Sequence, residues 1–224
     1  LFHHYGVRGV FGFRYGYEGL SPRYGHTPLE LTPEEVADIH EKGGTILGSS
    51  RGNQDVSEMV DTLDRMNVGI LFAIGGDGTL RGAHAIAEEI GRRGLKIAVI
   101  GVPKTIDNDI SYVERSFGFE TAVSEAATAI YSAHAEAEGA RNGIGLVKLM
   151  GRESGFIAAH AALAISDVNF CLVPEVRFSL DVFLDALRLR LERRGHAVIV
   201  VGEGAGQGLL KATGERDASG NVRL

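Results

Sequence analysis

Ile70-Leu71-Phe72-Ala73-Ile74-Gly75-Gly76-Asp77-Gly78-Thr79 decides the fold. A short continuous apolar run that ends on a glycine pair reads as a buried strand feeding a tight turn. Upstream, Val56, Met59, Val60, Leu63 and Met66 recur at helical spacing until Asn67-Val68-Gly69 ends the pattern. Downstream, Ala83, Ile86, Ala87 and Ile90 carry a second helix to about Gly94, and Ile97–Ile100 is a further strand broken at Gly101 and Pro103. Such alternation is the βαβ signature of a parallel sheet covered by helices.

The scheme repeats to the end of the chain. The sequence predicts helices over Phe119–Glu138, Gly155–Ile165 and Ser179–Arg194, the last with Ser179 as N-cap. Strands are expected over Ile144–Leu149, Val168–Val173 and His196–Val201, and a glycine-spaced loop after Gly204. At the front, Val7–Phe13 reads as a strand. Thr32-Pro33-Glu34-Glu35 reads as a helix start, with a cap, a proline in the first turn and a glutamate three residues after the cap. The expected fold class is α/β: doubly wound, mostly parallel sheets with helices on both faces, lobed between about residues 110 and 140.

Composition narrows the function classes. The 224 residues carry 23 Lys plus Arg against 29 Asp plus Glu, a formal charge of −6, whereas a nucleic-acid binder usually shows a basic excess. Hydrophobic residues at 44 % and charged residues at 23 % exclude a disordered chain. Glycine is the outlier, at 31 residues without a collagen period, so it must serve turns and close backbone approaches. The single cysteine, Cys171, allows no internal disulfide and fits a reducing compartment. No run reaches the roughly 18 apolar residues of a membrane span, and Leu1-Phe2-His3-His4 is no signal peptide. The expectation is a cytoplasmic protein without nucleic-acid or membrane partners. The missing initiator Met adds the expectation of an internal fragment.

In open α/β sheets, ligands bind beyond the carboxyl ends of strands. Gly75-Gly76-Asp77-Gly78-Thr79 stands at such a place. Its glycines let backbone N–H groups approach phosphate oxygens, the helix start adds its positive end, and Asp77 offers a carboxylate where a phosphate-bound Mg²⁺ would sit. The competing reading is a tight turn with Asp77 as a cap, although the segment has more glycine than a cap needs. Pro103-Lys104-Thr105-Ile106-Asp107-Asn108-Asp109 comes after the next strand and gathers two carboxylates, a hydroxyl and an amine. Read alone it could be a solvated Asn-Asp turn. Phosphoryl transfer to an alcohol needs a base at the hydroxyl, a metal at the phosphates and positive charge on the transferring group. Asp107, Asp77 with Asp109, and Lys104 supply residue types for those roles.

These two segments, together with Met150-Gly151-Arg152, resemble the signature segments of the 6-phosphofructokinases in order and spacing. Tyr15–Leu20, Gly43–Arg51, Val173–Val176 and His196–Glu203 match as well, so the resemblance runs from about residue 5 to residue 206. It implies phosphoryl transfer from MgATP to the 1-hydroxyl of fructose 6-phosphate, giving fructose 1,6-bisphosphate, the glycolytic reaction. By the same resemblance Asp107 is the base, with Lys104 and Thr105 beside it, and Asp77 and Asp109 serve the metal. Arg51 with Gly76, Asp77, Gly78 and Thr79 lies on the donor phosphates. Thr105, Ile106, Asp107, Met150, Gly151 and Arg152 surround the sugar phosphate, and Glu203 bonds its hydroxyls. Residues 1–110 would form the donor lobe and 111–224 the sugar-phosphate lobe, in a homo-oligomer, a dimer or a tetramer.

Donor choice turns on two positions in that family. Glycine at position 78 leaves room for the nucleotide, where a second aspartate accompanies pyrophosphate use; Lys104 is the pyrophosphate-type residue, though a mixed Gly/Lys branch resembles ATP users. ATP is therefore the expected donor, with pyrophosphate as the alternative and a non-catalytic nucleotide- or sugar-phosphate-binding subunit as a rival of another class. The resemblance has gaps. The family's first strand and Gly-Gly-x-x-Pro-Gly loop have no counterpart before Tyr5, and the bacterial ATP enzymes' arginine nine residues before the Arg152 position is Gly143 here, with Lys148 and Arg141 as candidate substitutes.

Other residues carry less. The eight histidines show no zinc spacing, and His134 and His160 read as surface or packed helix positions. Cys171 reads as a buried small hydrophobe without activation. Arg188, Arg190, Arg193 and Arg194 read as a solvated helix face. Ser154 lacks the Gly-x-Ser-x-Gly order of a hydrolase elbow.

Overall fold

Each half of the chain builds its core on a short sheet whose strands end beside the Gly75–Thr79, Lys104–Asp109 and Met150–Arg152 segments. The computed structural model describes residues 1–209. In chain order the elements are α1 (Phe2–Tyr5), β1 (Phe11–Gly12), β2 (Leu29–Glu30), α2 (Val56–Arg65), β3 (Ile70–Gly75), α3 (Asp77–Arg93), β4 (Ala98–Pro103), α4 (Phe119–Gly139), β5 (Gly143–Leu149), α5 (Phe156–Ala164), β6 (Phe170–Leu172), α6 (Leu180–Arg194) and β7 (His196–Gly202). They fall into two compact units, one of residues 1–73 with 81–101, the other of 74–80 with 102–209.

In the first unit β3 and β4 are hydrogen-bonded neighbours. Asp55 Oδ1 accepts the Glu58 N–H at 3.0 Å and so caps α2, satisfying a backbone donor that the helix leaves open. Met59, Val60 and Leu63 of α2 then meet Leu71 of β3 and Ile86 and Ile90 of α3 in a dry core. The strand alternates, however. Leu71 and Ala73 point inward while Ile70, Phe72 and Ile74 are exposed, so β3 is not covered on both faces as its unbroken apolar run predicts. Among the described residues helices cover one of its faces only, and period-2 geometry sends alternate side chains to the other.

The second unit contains a three-stranded sheet in the order β5-β7-β6, parallel throughout, with Leu146 opposite Ile199 and Cys171 opposite Val200. On one face of central β7, Val198 and Val200 pack against Ala126 and Ile130 of α4 and Ala158 and Ala161 of α5. On the other face, Ala197 and Ile199 meet Leu187 of α6. Helices on both faces of a parallel sheet are the doubly wound arrangement that the alternating pattern predicts.

Several local expectations are met only in part. The Val7–Phe13 strand shrinks to Phe11–Gly12, paired antiparallel with Leu29–Glu30. The helix expected from Thr32 forms its cap, with Thr32 Oγ1 accepting the Glu35 N–H at 3.2 Å, but continues only as turns and a short 3-10 segment at Ile39–Glu41. Val36 and Ile39 are too few apolar positions to anchor a helix that meets Gly43-Gly44 so soon. Cys171 is exposed, because β6 is an edge strand that turns this residue outward. Ser179 holds the N-cap position of α6 without a side-chain capping bond. The tail forms a 3-10 turn at Gln207–Leu209, and the rest of the predicted loop lies outside the described residues. On α6, Arg188, Arg193 and Arg194 are exposed as expected, whereas Arg190 folds back and its Nε donates to the His196 carbonyl at 3.1 Å.

Candidate active site

The site grows from the ends of four strands. At the end of β3, Gly75 is required by packing, since a Cβ there would lie 2.3 Å from Thr79 Oγ1. Gly78, on the first turn of α3, faces open space, with nothing within 4 Å of where a Cβ would stand. Next to this turn runs the one after β4: the Lys104 N–H donates to the Gly75 carbonyl at 2.8 Å, and a Cβ on Gly76 would stand 3.6 Å from Thr105 Cβ. Asp77 and Asp109 are both solvent-exposed carboxylates, as Lys104 is an exposed amine.

The Thr105–Asp109 turn is fixed from behind. Thr105 Oγ1 accepts the Asp107 N–H at 3.2 Å, and the buried Ser116 hydroxyl donates to the Thr105 carbonyl at 2.5 Å. Asn108 adopts a left-handed conformation (φ 55), which asparagine tolerates better than most residues. Its Oδ1 accepts the Ser116 N–H at 2.8 Å and its Nδ2 donates to the Glu114 carbonyl at 3.1 Å. A cavity of about 420 Å³ opens beside this loop, lined by Asp109, Ser111, Glu114, Arg115 and His160; Asp107 is not among its lining residues.

Asp107 is the anomaly of the structure. Its Oδ1 is buried and is the one such side-chain oxygen or nitrogen without a hydrogen-bond partner among the described residues. Burial pushes its carboxyl above the usual carboxylate range; Asp109 and Glu203 push the same way, and Lys104 opposes them. A buried carboxylate oxygen costs free energy until a donor reaches it. A carboxylate made more basic in this way is suited to receive a proton.

The remaining residues come from β5 and β7. These strands are adjacent, so the segments after them emerge side by side: Glu203 N–H donates to the Leu149 carbonyl at 2.8 Å and Gly204 N–H to the Gly151 carbonyl at 3.3 Å. Met150 is exposed, Arg152 and Glu203 half-buried. The loop returns through buried Ser154, whose hydroxyl donates to the Asp107 carbonyl at 2.7 Å, and Gly155, whose N–H donates to Glu175 Oε1 at 2.7 Å. Thus Gly76–Thr79, Lys104–Asp109, Met150–Arg152 and Glu203 all belong to the second unit, while Arg51 is an exposed residue of the first. Ser116, Ser154 and Glu175 support the site although the sequence does not single them out as site residues. Their partners lie 11, 47 and 20 positions away, and only Glu175, inside Val173–Val176, carried any motif signal.

The phosphofructokinase family model matches residues 2–221. The chain belongs to the phosphofructokinase family. It is 56 % identical over 220 residues to an ATP-dependent 6-phosphofructokinase of Trypanosoma cruzi, covering 98 % of this chain and 45 % of that protein. To an ATP-dependent 6-phosphofructokinase of Borreliella burgdorferi it is 54 % identical over 228 residues, covering 97 % of this chain and 51 % of the relative. The chain therefore spans about half the length of the curated relatives it matches. Among solved structures, a pyrophosphate-dependent phosphofructokinase from Marinobacter aquaeolei superposes with a TM-score of 0.77 at 24 % identity, over 89 % of this chain and 53 % of the other. The Saccharomyces cerevisiae phosphofructokinase gives 0.72 at 25 %, over 88 % and 29 %. These likenesses establish the phosphofructokinase fold.

Packing gives the Gly143 departure a physical reason. A Cβ on Gly143 would lie 2.1 Å from the Ala137 carbonyl oxygen at the end of α4, so no side chain fits there, an arginine least of all. Arg141 and Lys148 remain as exposed cations nearby in sequence. Gly143→Ala should destabilise the fold by about 1–3 kcal/mol through overpacking, read as a lowered midpoint in denaturant unfolding; an unchanged midpoint would show that α4 has room to move.

Proposed function

We propose that the protein carrying this chain transfers a phosphoryl group from MgATP to the 1-hydroxyl of fructose 6-phosphate, yielding fructose 1,6-bisphosphate. The observation that carries the reading is the buried, unpartnered Oδ1 of Asp107, an acceptor with no protein donor, in a turn packed against the Gly76–Thr79 turn. A substrate hydroxyl supplies the missing donor. The names and identities of the curated relatives support ATP as donor and the sugar phosphate as acceptor.

In this reading residues 1–110 serve the donor and 111–224 the acceptor. Asp107 takes the hydroxyl proton as the acceptor oxygen attacks the γ-phosphorus and the bond to the β-phosphate oxygen breaks, in line. Thr105 holds the Asp107 backbone in place through the bond to its N–H. Lys104 offsets negative charge on the donor phosphates, for which Gly76–Thr79 is the cradle. Ile106, Met150, Gly151 and Arg152 enclose the sugar phosphate, and Glu203 accepts from its hydroxyls. No group of three or more His, Cys, Asp or Glu gathers to hold a metal among the described residues. Two exposed carboxylates, Asp77 and Asp109, fit Mg²⁺, which commonly takes only one or two carboxylates and completes its shell with phosphate and water. They would hold it, and it would neutralise phosphate charge.

No helix among the described residues is long and apolar enough to cross a membrane, and we place the enzyme in the cytoplasm as a homo-oligomer. Lys104 is the one feature that favours pyrophosphate as donor. The deciding experiment supplies the full-length protein with fructose 6-phosphate, Mg²⁺ and either ATP or pyrophosphate. Product with ATP is expected; product with pyrophosphate alone would reverse the donor assignment, and none with either would leave a binding subunit.

A further inference from the structure

We propose that Ser154 is a positioning residue that latches the acceptor loop, Met150–Gly155, to the general base Asp107, by donating its hydroxyl hydrogen to the Asp107 backbone carbonyl. This rests on the phosphoryl-transfer reading and adds to it a buried residue that acts through another.

The geometry is specific. Ser154 is 3 % exposed, and its Oγ lies 2.7 Å from the Asp107 carbonyl oxygen, joining segments 47 residues apart. It stands two positions after Arg152, and the next residue, Gly155, is held by the Glu175 carboxylate at 2.7 Å. On the other side, Glu203 and Gly204 N–H groups grip the Leu149 and Gly151 carbonyls. The Met150–Gly155 loop is thus fixed to β7 and to Glu175, and Ser154 passes that fixed position to Asp107. The turn holding Asp107 has its own ties at Thr105 and Asn108, through Ser116. Those bonds end on Ser116 and do not reach the acceptor loop. Ser154 joins the loop that carries Arg152 directly to the residue that carries the base. A reacting oxygen must sit within hydrogen-bond reach of its base, and small misplacements cost large factors in rate. The buried hydroxyl therefore sets the distance between bound sugar phosphate and carboxylate.

The test uses the full-length enzyme and steady-state formation of fructose 1,6-bisphosphate. Ser154→Ala removes the donor with little change of volume. The expectation is a kcat about 10- to 100-fold lower, with the KM for fructose 6-phosphate within about twofold of wild type. The sharper readout is coupling. In an Asp107→Asn background, adding Ser154→Ala should change the residual kcat by less than about twofold, because a group acting through the base has nothing left to position. A Ser154→Ala enzyme with wild-type kcat overturns the latch, and so does an undiminished Ser154→Ala effect when Asp107 is already Asn. Should the alanine variant not fold, Ser154→Cys, a weak donor of similar size, is held to the same two criteria. A wild-type protein that forms no product overturns the function and the latch together, whereas an active wild type with an indifferent Ser154 overturns the latch alone.

Discussion

Asp107→Asn is expected to lower kcat by roughly 10²- to 10⁴-fold, the range that a positioned general base supplies, while fructose 6-phosphate still binds. The same substitution should raise the melting temperature of the ligand-free protein at neutral pH. The sign comes from the direction in which the carboxyl is displaced. A folded-state pKa above the unfolded value means that the folded protein holds this proton more tightly than the unfolded chain does. Any stability it lends is present below the unfolded pKa and lost as pH rises through the folded one. At neutral pH the ionised carboxylate sits desolvated beside Asp109 and Glu203, only partly offset by Lys104, with Oδ1 unpaired. A neutral amide removes that electrostatic cost, so activity and stability move in opposite directions, as they do where a strained group serves chemistry. Steady-state kinetics and thermal melts from pH 5 to 8 read both halves. A variant less stable than wild type, or with turnover intact, would show that Asp107 is a structural carboxylate.

The placement of this residue could be read from the chain because local chemistry fixes it. An apolar run long enough for one strand, closed by Gly75-Gly76 or by Pro103, ends at the edge of the sheet, and the residues after it must lie at its carboxyl end. For the same reason β5 and β7, mostly apolar and parallel neighbours, place Arg152 and Glu203 at one end of their sheet. Features that depend on distant partners could not be read. Ser154 looks like any loop serine until Asp107 is brought beside it, and Asn108 looks like turn chemistry until Ser116 fills its amide. Thr32-Pro33-Glu34-Glu35 carries correct helix-start signals and still yields turns, because nucleating a helix needs an apolar face that Val36 and Ile39 do not extend. Cys171 has a strand's neighbours but an edge position, and the sequence alone does not tell an edge from a centre.

Gly78→Asp should reduce kcat/KM for ATP by about 10²- to 10³-fold while leaving the melting temperature near wild type. Glycine on the first turn of a helix costs stability relative to residues with a side chain, and it persists for a reason only where space or backbone conformation demands it. Backbone conformation does not, since Gly78 lacks the positive φ seen at eleven other glycines. Packing does not either, because a Cβ there meets nothing within 4 Å, in contrast to Gly75 and its 2.3 Å approach to Thr79. What remains is the open space beside this helix start, where the family resemblance and the proposed function put the donor. An aspartate would fill that space with a negative charge next to the nucleotide's phosphates, and like charges brought together cost several kcal/mol, with each factor of ten in affinity worth about 1.4 kcal/mol. Pyrophosphate, lacking the nucleoside, does not need the same room, so under the proposed function the ratio of pyrophosphate to ATP turnover should rise. Kinetics with both donors on the full-length variant decide it. ATP turnover equal to wild type would mean that the nucleotide never occupies the space beside Gly78, and the donor would have to be placed elsewhere on the protein.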